Sequence, residues 1–218
     1  MKQTGDTSLL ADKAQNVLWD ALRSGQLRGG QFLSISQLVE ILNCPIAPTR
    51  EAVKQACSQG LLFTLPKRGI QVMDVTPDRI RACLDFRMVL DQEGARRRIS
   101  KGSMDGLEGL RTDHEHMLNA VSSEFDQHQP RDAIKIDVSL HDFLVDGLEN
   151  EQLLAAYDAN RMRIAIIQNA RPFVQDRIKS AMEEHLSIID ALERRDPASA
   201  VDAIKFHFDQ TRRWWGVV

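Results

Sequence analysis

The spacing of apolar residues predicts a small mixed domain in the first third of the chain. Apolar residues recur at helical intervals over 9–24, and a second helix is predicted over 34–42, capped by Ser34 or Ser36. A third helix over 49–59 ends at a glycine suited to a helix C-terminus. Two β-leaning runs then flank PKRG, which predicts a hairpin with a charged tip. Three helices followed by a hairpin are the pattern of a winged helix-turn-helix.

Beyond a junction at VTPDRI, the pattern predicts helices only. Glycines and the turn segments HQPRD and RRDPAS separate them. The predicted helices cover 77–99, 103–122, 130–147, 150–169, 174–194 and 197–214. We therefore expect a mostly α-helical protein with two domains, a winged helix-turn-helix over 1–75 and an all-helical bundle over 76–218.

Composition agrees with an ordinary globular protein. Hydrophobic residues make up 43% of the chain and charged residues 27%. No apolar run approaches the ~20 residues that a membrane helix needs, and MKQTGDTSLL lacks the apolar core of a signal peptide. The three cysteines show no CxxC pairing. We expect a cytoplasmic protein with no membrane partner, whose cysteines are packing residues.

The net charge of −3 is unevenly distributed along the chain. Residues 1–75 carry 8 Lys/Arg against 6 Asp/Glu, whereas residues 76–218 carry 20 against 25. A slightly basic first domain on an acidic second domain permits nucleic-acid binding by the first domain only.

Four residues that are far apart in the sequence form a candidate metal site. Asp137 and His141 are four residues apart, so on a helix they share one face. Asp196 lies within the turn segment ERRDPAS. His185 lies 11 residues before Asp196, and His207 lies 11 residues after it. Equal distances from the turn of an antiparallel helix hairpin bring two residues to the same level. Three imidazoles and one carboxylate suit Zn²⁺ or Ni²⁺, and the alternative is that these are ordinary half-buried or surface histidines.

Two sets of motifs match a known family. The stretch GGQFLSISQLVEILNCPIAPTREAVKQACSQGLLFTLPKRGIQV contains a Gly-led turn, a Pro-x-Arg-Glu-Ala helix, a Gly-Leu exit and a wing with Arg-Gly. It resembles the DNA-binding domain of the GntR family of bacterial transcription regulators. FRMVLD, DVSLHDFL and EHLSIIDALERRDPASA followed by FH resemble the FCD ligand-binding domain of the FadR-like subfamily. The resemblance implies a ligand-responsive homodimer that binds a palindromic double-stranded DNA operator.

The resemblance also assigns roles to residues of the second domain. In metal-binding FCD proteins one Asp and three His hold a divalent cation, and all four candidate positions are filled here. The arginine equivalent to Arg87 faces the ligand cavity, where a guanidinium can pair with a carboxylate. Arg161 and Arg163 are further candidates for binding an organic-acid effector.

Candidate DNA contacts lie on the third helix and at the hairpin tip. They are Thr49, Arg50, Lys54, Lys67, Arg68 and Gly69. Ser36 and Ile46 stand where the family usually has arginines that contact DNA. Because arginine is well suited to reading guanine, we expect an operator that differs from the usual one of the family.

A regulator is the function that we expect, and two alternatives remain. A His₃Asp site can in principle activate water in a metal-dependent hydrolase, with Glu184 as the candidate base, although we expect Glu184 to face outward. A purely structural metal in a regulator is the other alternative. We expect His114, His116 and His128 to lie on the surface, because they stand in a polar, charged stretch.

Overall fold

The structure, a computed structural model, describes residues 4–123, 129–171 and 173–218. It divides into an N-terminal unit, Met1–Arg79 with Arg161–Arg171, and a C-terminal unit, Ile80–Asn160 with Pro172–Val218. The boundary expected at residue 75 lies close to the end of the first stretch. The pattern did not place 161–171 with the first domain. Hydrogen bonds from that segment, such as Asn169 Nδ2 to the carbonyl of Leu22 at 2.9 Å, account for its assignment.

Residues 4–76 form three helices and a small sheet. The elements are α1 Thr4–Arg23, β1 Phe32–Leu33, α2 Ile35–Leu42, α3 Ile46–Ser58, β2 Leu62–Leu65 and β3 Gly69–Val72. The antiparallel strand order is β1-β3-β2, so the predicted hairpin is confirmed. Strand β1 was not predicted, because two residues are too few to show an alternating pattern.

Local chemistry explains where these elements begin and end. Ser34 caps α2 in a capping box, since its hydroxyl accepts from the Gln37 amide while the Gln37 side chain accepts from the Ser34 amide. Pro45 precedes the first turn of α3, where its missing amide proton costs no helical hydrogen bond. Gly69 has a φ of +91°, and a Cβ there would lie 2.6 Å from the carbonyl oxygen of Leu33. Only glycine lets the hairpin approach β1 this closely.

Helices build the C-terminal unit, as predicted. They are α4 Pro77–Lys101, α5 Leu107–Ser123, α6 Gln129–Asp146, α7 Glu151–Asn169, α8 Gln175–Glu193 and α9 Pro197–Trp214. The first residues of α4 and the last residues of α7 belong to the N-terminal unit. Most of the ends lie within two residues of the predicted positions, and α9 has the predicted bounds. None of the described helices has both the length and the apolar character needed to cross a membrane.

Helix α8 lies at the centre of the C-terminal unit and packs against α5, α6 and α9. An apolar cluster fills the space between α5, α6 and α8; its buried members are Met117, Val121, Ala133, Ile178, Ala181 and Met182. Helices α4 and α6 approach each other at Gly94, where a Cβ would lie 2.0 Å from the carbonyl oxygen of Leu144. This contact sets the spacing between two helices that both carry side chains of the candidate site.

We predict that Gly94→Ala destabilises the C-terminal unit by at least ~1–3 kcal/mol, because the added methyl overlaps the backbone of α6. Gly109→Ala is the matched control, since Gly109 lies on α5 and a methyl added there would project into open space. That change should be neutral or stabilising by up to ~1 kcal/mol, because alanine favours a helix. Urea unfolding measures both values, and equal stabilities would contradict the close α4–α6 approach.

Candidate metal centre

The structure brings the four predicted ligands together in the C-terminal unit. Asp137 and His141 lie one turn apart on α6, His185 lies on α8 and His207 on α9. One potential ligand atom from each residue lies within 4.8 Å of the other three, and all four residues are buried. The equal spacing about the α8–α9 turn has the predicted effect, because the Nε2 atoms of His185 and His207 are only 3.4 Å apart.

Each imidazole uses its other ring nitrogen, Nδ1, to contact a buried partner. The pairs are His141 with Asp91 (2.5 Å), His207 with Glu184 (2.7 Å) and His185 with Nε2 of His114 (3.1 Å). We assign the tautomer of each ring from the partner of its Nδ1. When Nδ1 carries the hydrogen and donates to that partner, Nε2 has a lone pair that points towards the other candidate ligands. Histidines that bind metal ions almost always carry such a partner on the second nitrogen.

The electrostatics of the centre favour a bound cation. Burial lowers the pKa of all three ligand imidazoles, and lowers those of His141 and His185 well below the usual range. Neutral imidazole is the form that ligates metals. Unprotonated Nε2 atoms then converge with the carboxylate of Asp137, which lies 3.6 Å from Nε2 of His185. Lone pairs this close repel one another unless a cation lies between them, so the donor set fits a divalent metal.

Arg87 adds unsatisfied hydrogen-bond donors to the same unit. Its side chain is buried, and among the described residues its Nε and Nη2 atoms have no hydrogen-bond partner. Leaving such donors unpaired costs free energy, so their presence points to a ligand that accepts from them. Arg87 is also close enough to His141 for its positive charge to add to the effect of burial in lowering the pKa of that imidazole.

Asp91, one turn after Arg87 on α4, has an unusual environment. Burial raises the pKa of its carboxyl group well above the usual range, because an isolated carboxylate is poorly solvated there. A cation held by His141 would favour the ionised form of Asp91, which supports the ligand through Nδ1. The sequence motifs did not predict this contact, which joins α4 to α6.

Glu184 was expected to face outward, and this prediction is wrong. Its side chain is buried, and its carboxylate accepts from Nδ1 of His207 and from Nη1 of Arg177, both at 2.7 Å. Burial acts to raise the pKa of Glu184, but the hydrogen bonds from His207 and Arg177 lower it overall. Nη2 of Arg177 also donates to Oγ1 of Thr211 on α9, at 2.9 Å. Glu184 therefore fixes the orientation of His207 and joins α8 to α9.

His114 was expected on the surface, and this prediction is also wrong, because its side chain is completely buried. The helical spacing of apolar residues on α5 gives the reason: His114 occupies the core position between Leu107, Met117 and Val121. The polar character of the surrounding stretch concealed that pattern. His116 is exposed, as expected, and His128 lies outside the described residues.

The other two effector candidates, Arg161 and Arg163, lie in the N-terminal unit. Arg161 is exposed, and Arg163 donates from Nη2 to the carbonyl oxygen of Gln59 at 2.6 Å. Both belong to the segment Arg161–Arg171, which is part of the N-terminal unit. Arg163 thus has a structural contact with the segment that follows α3.

Most of the predicted DNA contacts are accessible. Arg50 and Lys54 are exposed on α3, and Lys67 and Arg68 are exposed in the turn between β2 and β3. Arg50 and Lys67 also line the same cavity of about 510 Å³, together with Gly69. Both positions where the family usually has arginine, Ser36 and Ile46, are exposed as well.

Thr49 was expected on the exposed side of α3, and the structure corrects this. Its side chain is completely buried, and its hydroxyl donates to the carbonyl oxygen of Pro45 at 2.9 Å. Because the hydroxyl bonds back to the preceding turn, the Thr49 side chain is used within the fold and does not face a partner.

Comparisons with known proteins agree with this architecture. A family model described as the FCD domain matches residues 82–210. An uncharacterised HTH-type transcriptional regulator, YdhC of Bacillus subtilis (strain 168), is 20% identical over 194 residues, covering 89% of this chain and 85% of that protein.

Two solved structures show the same fold. E. coli McbR/YncC superposes with a TM-score of 0.77 at 17% identity, covering 95% of this chain and 97% of that one. A protein from Rhodococcus sp. RHA1, described as a GntR transcriptional regulator, gives 0.78 at 16% identity, with coverages of 99% and 100%. A winged helix-turn-helix joined to an FCD domain is the architecture of a GntR-type transcription regulator. The chain belongs to the FCD-domain family of these regulators.

We predict that His207→Ala and His185→Ala each abolish stoichiometric binding of a divalent metal, because each removes one of four converging donors. His116→Ala is the control, since His116 is an exposed histidine on α5. Metal content after dialysis, measured by plasma mass spectrometry, should fall only in the first two variants. A stoichiometric metal in the His185/His207 double variant would contradict the ligand assignment.

Proposed function

We propose that the protein is a cytoplasmic, homodimeric regulator whose binding to an operator responds to a small organic acid held at a metal ion. The observation that carries the proposal is the convergence of Asp137 and three buried histidines in the unit that also holds Arg87, whose Nε and Nη2 have no hydrogen-bond partner among the described residues. The donor set binds a cation, and the cation with Arg87 attracts an anion.

The metal would be held by Asp137, His141, His185 and His207, with Zn²⁺ or Ni²⁺ as the most suitable ions. Imidazole and carboxylate ligands suit these borderline cations better than Mg²⁺ or Ca²⁺, which prefer oxygen. A site with four protein ligands leaves further coordination positions for an ion that accepts five or six ligands. A carboxylate effector can take those positions.

The effector would bind at two points, the metal and Arg87. A guanidinium presents parallel N–H groups that match the two oxygens of a carboxylate, and this geometry makes the pair stronger than a single hydrogen bond. Nε and Nη2 of Arg87 are the two atoms without partners, and they lie on one edge of the guanidinium. An organic acid that carries a second oxygen donor satisfies both points, which favours hydroxy acids or dicarboxylic acids over simple monocarboxylates.

DNA binding would use α3 and the wing. Arg50 and Lys54 are exposed on α3, and Lys67 and Arg68 extend from the turn of the hairpin. A helix of this type enters the major groove, and the wing contacts backbone or minor groove. A two-fold dimer would place two such heads on the half-sites of a palindromic operator. Exposed Ile46 at the start of α3 offers an apolar contact, which suits a thymine methyl better than guanine.

A metal-dependent hydrolase is the alternative in a different class, and the contacts of Glu184 disfavour it. A general base must be free to take a proton from water, whereas Glu184 already accepts hydrogen bonds from Arg177 and His207. A purely structural metal is the second alternative. A purely structural metal does not account for the two donors of Arg87, Nε and Nη2, that have no hydrogen-bond partner among the described residues. Thermal melts with and without a chelator separate these cases, because only a sensor is stabilised by an acid that it does not consume.

We predict that a panel of hydroxy and dicarboxylic acids contains a ligand that raises the melting temperature of the metal-loaded wild type. Arg87→Ala should lose most of that shift and keep its metal, because the guanidinium binds the acid and contributes no metal ligand. Arg96→Ala is the control on the same helix, since the Arg96 side chain is 51% exposed. An unchanged shift in Arg87→Ala would show that Arg87 does not bind the effector.

We predict that Arg50→Ala weakens binding to an operator selected from random duplex DNA by ~1–3 kcal/mol, if Arg50 pairs with a base. Lys67→Ala should weaken binding to all sequences and reduce the slope of affinity against salt, because it removes a phosphate contact. Lys179→Ala, an exposed change on α8, is the control for charge alone. Fluorescence anisotropy at several salt concentrations measures all three. Wild-type affinity in both Arg50→Ala and Lys67→Ala would contradict this interface.

A further inference from the structure

We propose that His114 is a positioning residue for the metal centre, which holds the ring of His185 in the tautomer that presents Nε2 to the cation. Nothing in the sequence motifs assigns His114 a role. The inference rests on the proposed metal binding and names a determinant of its affinity on α5, a helix that provides none of the four ligands.

The hydrogen-bond partners of His114 determine its tautomer. Nδ1 of His114 lies 2.7 Å from the carbonyl oxygen of Leu110. A carbonyl oxygen accepts and cannot donate, so Nδ1 of His114 carries a hydrogen. In a neutral ring Nε2 then has only a lone pair, and it lies 3.1 Å from Nδ1 of His185. His185 must therefore donate from Nδ1, which leaves its own Nε2 free to bind the metal.

The contact between the two rings is a hydrogen bond and not a stacking interaction. The planes of His114 and His185 are inclined by 56°, with ring centroids 5.2 Å apart. Both side chains are completely buried, so water does not compete for the Nδ1–H of His185. An apolar side chain at position 114 would leave that donor unpaired in the core and would allow the imidazole to rotate or change tautomer.

Neighbouring contacts hold α5 in register with α8, which keeps His114 level with His185. On one side of the histidine pair, Nε of Arg111 on α5 donates to Glu193 on α8 at 2.8 Å. On the other side, Nε2 of Gln175 on α8 donates to the carbonyl oxygen of Val121 on α5 at 2.7 Å. The position of His114 is therefore set by the packing of the two helices, before any metal binds.

His114 differs in chemical type from the partners of the other two candidate ligands. His141 and His207 donate to the carboxyl groups of Asp91 and Glu184, whereas His185 donates to a neutral imidazole. A carboxylate partner raises the basicity of a ligating histidine more than a neutral partner does. His114 therefore orients His185 without adding a carboxyl group to those of Asp91 and Glu184 beside the three imidazole rings.

Two amide substitutions test this role with closely matched chemistry. The side chain of Gln reaches the position of the histidine Nε2, so His114→Gln can still accept from His185. The side chain of Asn is one methylene shorter, so His114→Asn can keep the bond to Leu110 but cannot reach His185. Affinity for Co²⁺ is measured on the full chain by competition with a chromophoric chelator. The visible absorption spectrum of the bound Co²⁺ reports the coordination geometry.

We expect His114→Asn to bind Co²⁺ about 10–100-fold more weakly than the wild type, with an altered spectrum. His114→Gln should bind within a few-fold of the wild type and keep its spectrum. Equal affinities in wild type and His114→Asn would overturn the role of His114 while leaving the metal proposal intact. Equal weakening in both variants would also overturn it, because packing alone would then explain the loss.

Two further results remain decisive. A wild type that binds no Co²⁺ would overturn the metal proposal, and with it the role of His114. Thermal melts of the metal-free proteins show whether each variant folds. If His114→Asn does not fold, His114→Gln decides the matter: wild-type affinity and spectrum support the acceptor role, and a large loss in a folded protein contradicts it.

Discussion

The C-terminal unit is organised around the cost of burying three imidazoles and a carboxylate with their lone pairs directed at one point. Such an arrangement is unfavourable by itself, because the donor atoms repel one another and are buried away from bulk solvent. Surrounding groups hold each ring in place, and the proposed cation would offset the repulsion. Helices α4, α5, α6, α8 and α9 all contribute either a ligand or the partner of a ligand, so the centre joins most of the bundle.

The same geometry would link the proposed metal to the proposed effector. Asp91 contacts the candidate ligand His141, and Arg87 lies one turn before Asp91 on α4, so one helix carries a partner of that histidine and the proposed anion contact. Binding of an acid to Arg87 and the metal would therefore act on α4. If acid and metal each raise the affinity of the other, thermodynamic linkage requires the factor to be equal in both directions. A change in DNA binding further requires that the acid bind with different affinities to two arrangements of the two DNA-binding domains in the proposed dimer.

The sequence predicted the architecture, and it predicted that Asp137, His141, His185 and His207 lie together, because both depend on regular spacing. The period of apolar residues indicated the helices, and the equal distances of His185 and His207 from their turn indicated a shared level. The partners of those ligands followed no such rule. His114 was assigned to the surface because its neighbours in sequence are polar, and Glu184 was expected to face outward, although both occupy core positions of their helices. Contacts between distant helices decide such cases, and a single sequence does not contain them.

In the N-terminal unit, too, the sequence predicted the elements but not all of the contacts that their side chains make. The helix-turn-helix was predicted from caps, periodicity and the hairpin, but Thr49 was placed on the wrong face of α3. Near a helix start, a threonine hydroxyl can bond back to the preceding turn instead of facing solvent, and only the structure distinguishes the two. Segment 161–171 is the second example, because its helical pattern gives no indication of which unit it packs against.

X-ray absorption spectroscopy on the purified full-length protein, at the edge of whichever divalent metal it carries, tests the central claim most directly. We expect one metal ion per chain, with a first coordination sphere of three imidazole nitrogens and at least one oxygen at ~2.0–2.2 Å. A metal ion coordinated without imidazole, or a protein that binds no divalent ion even when it is offered in excess, would contradict the account.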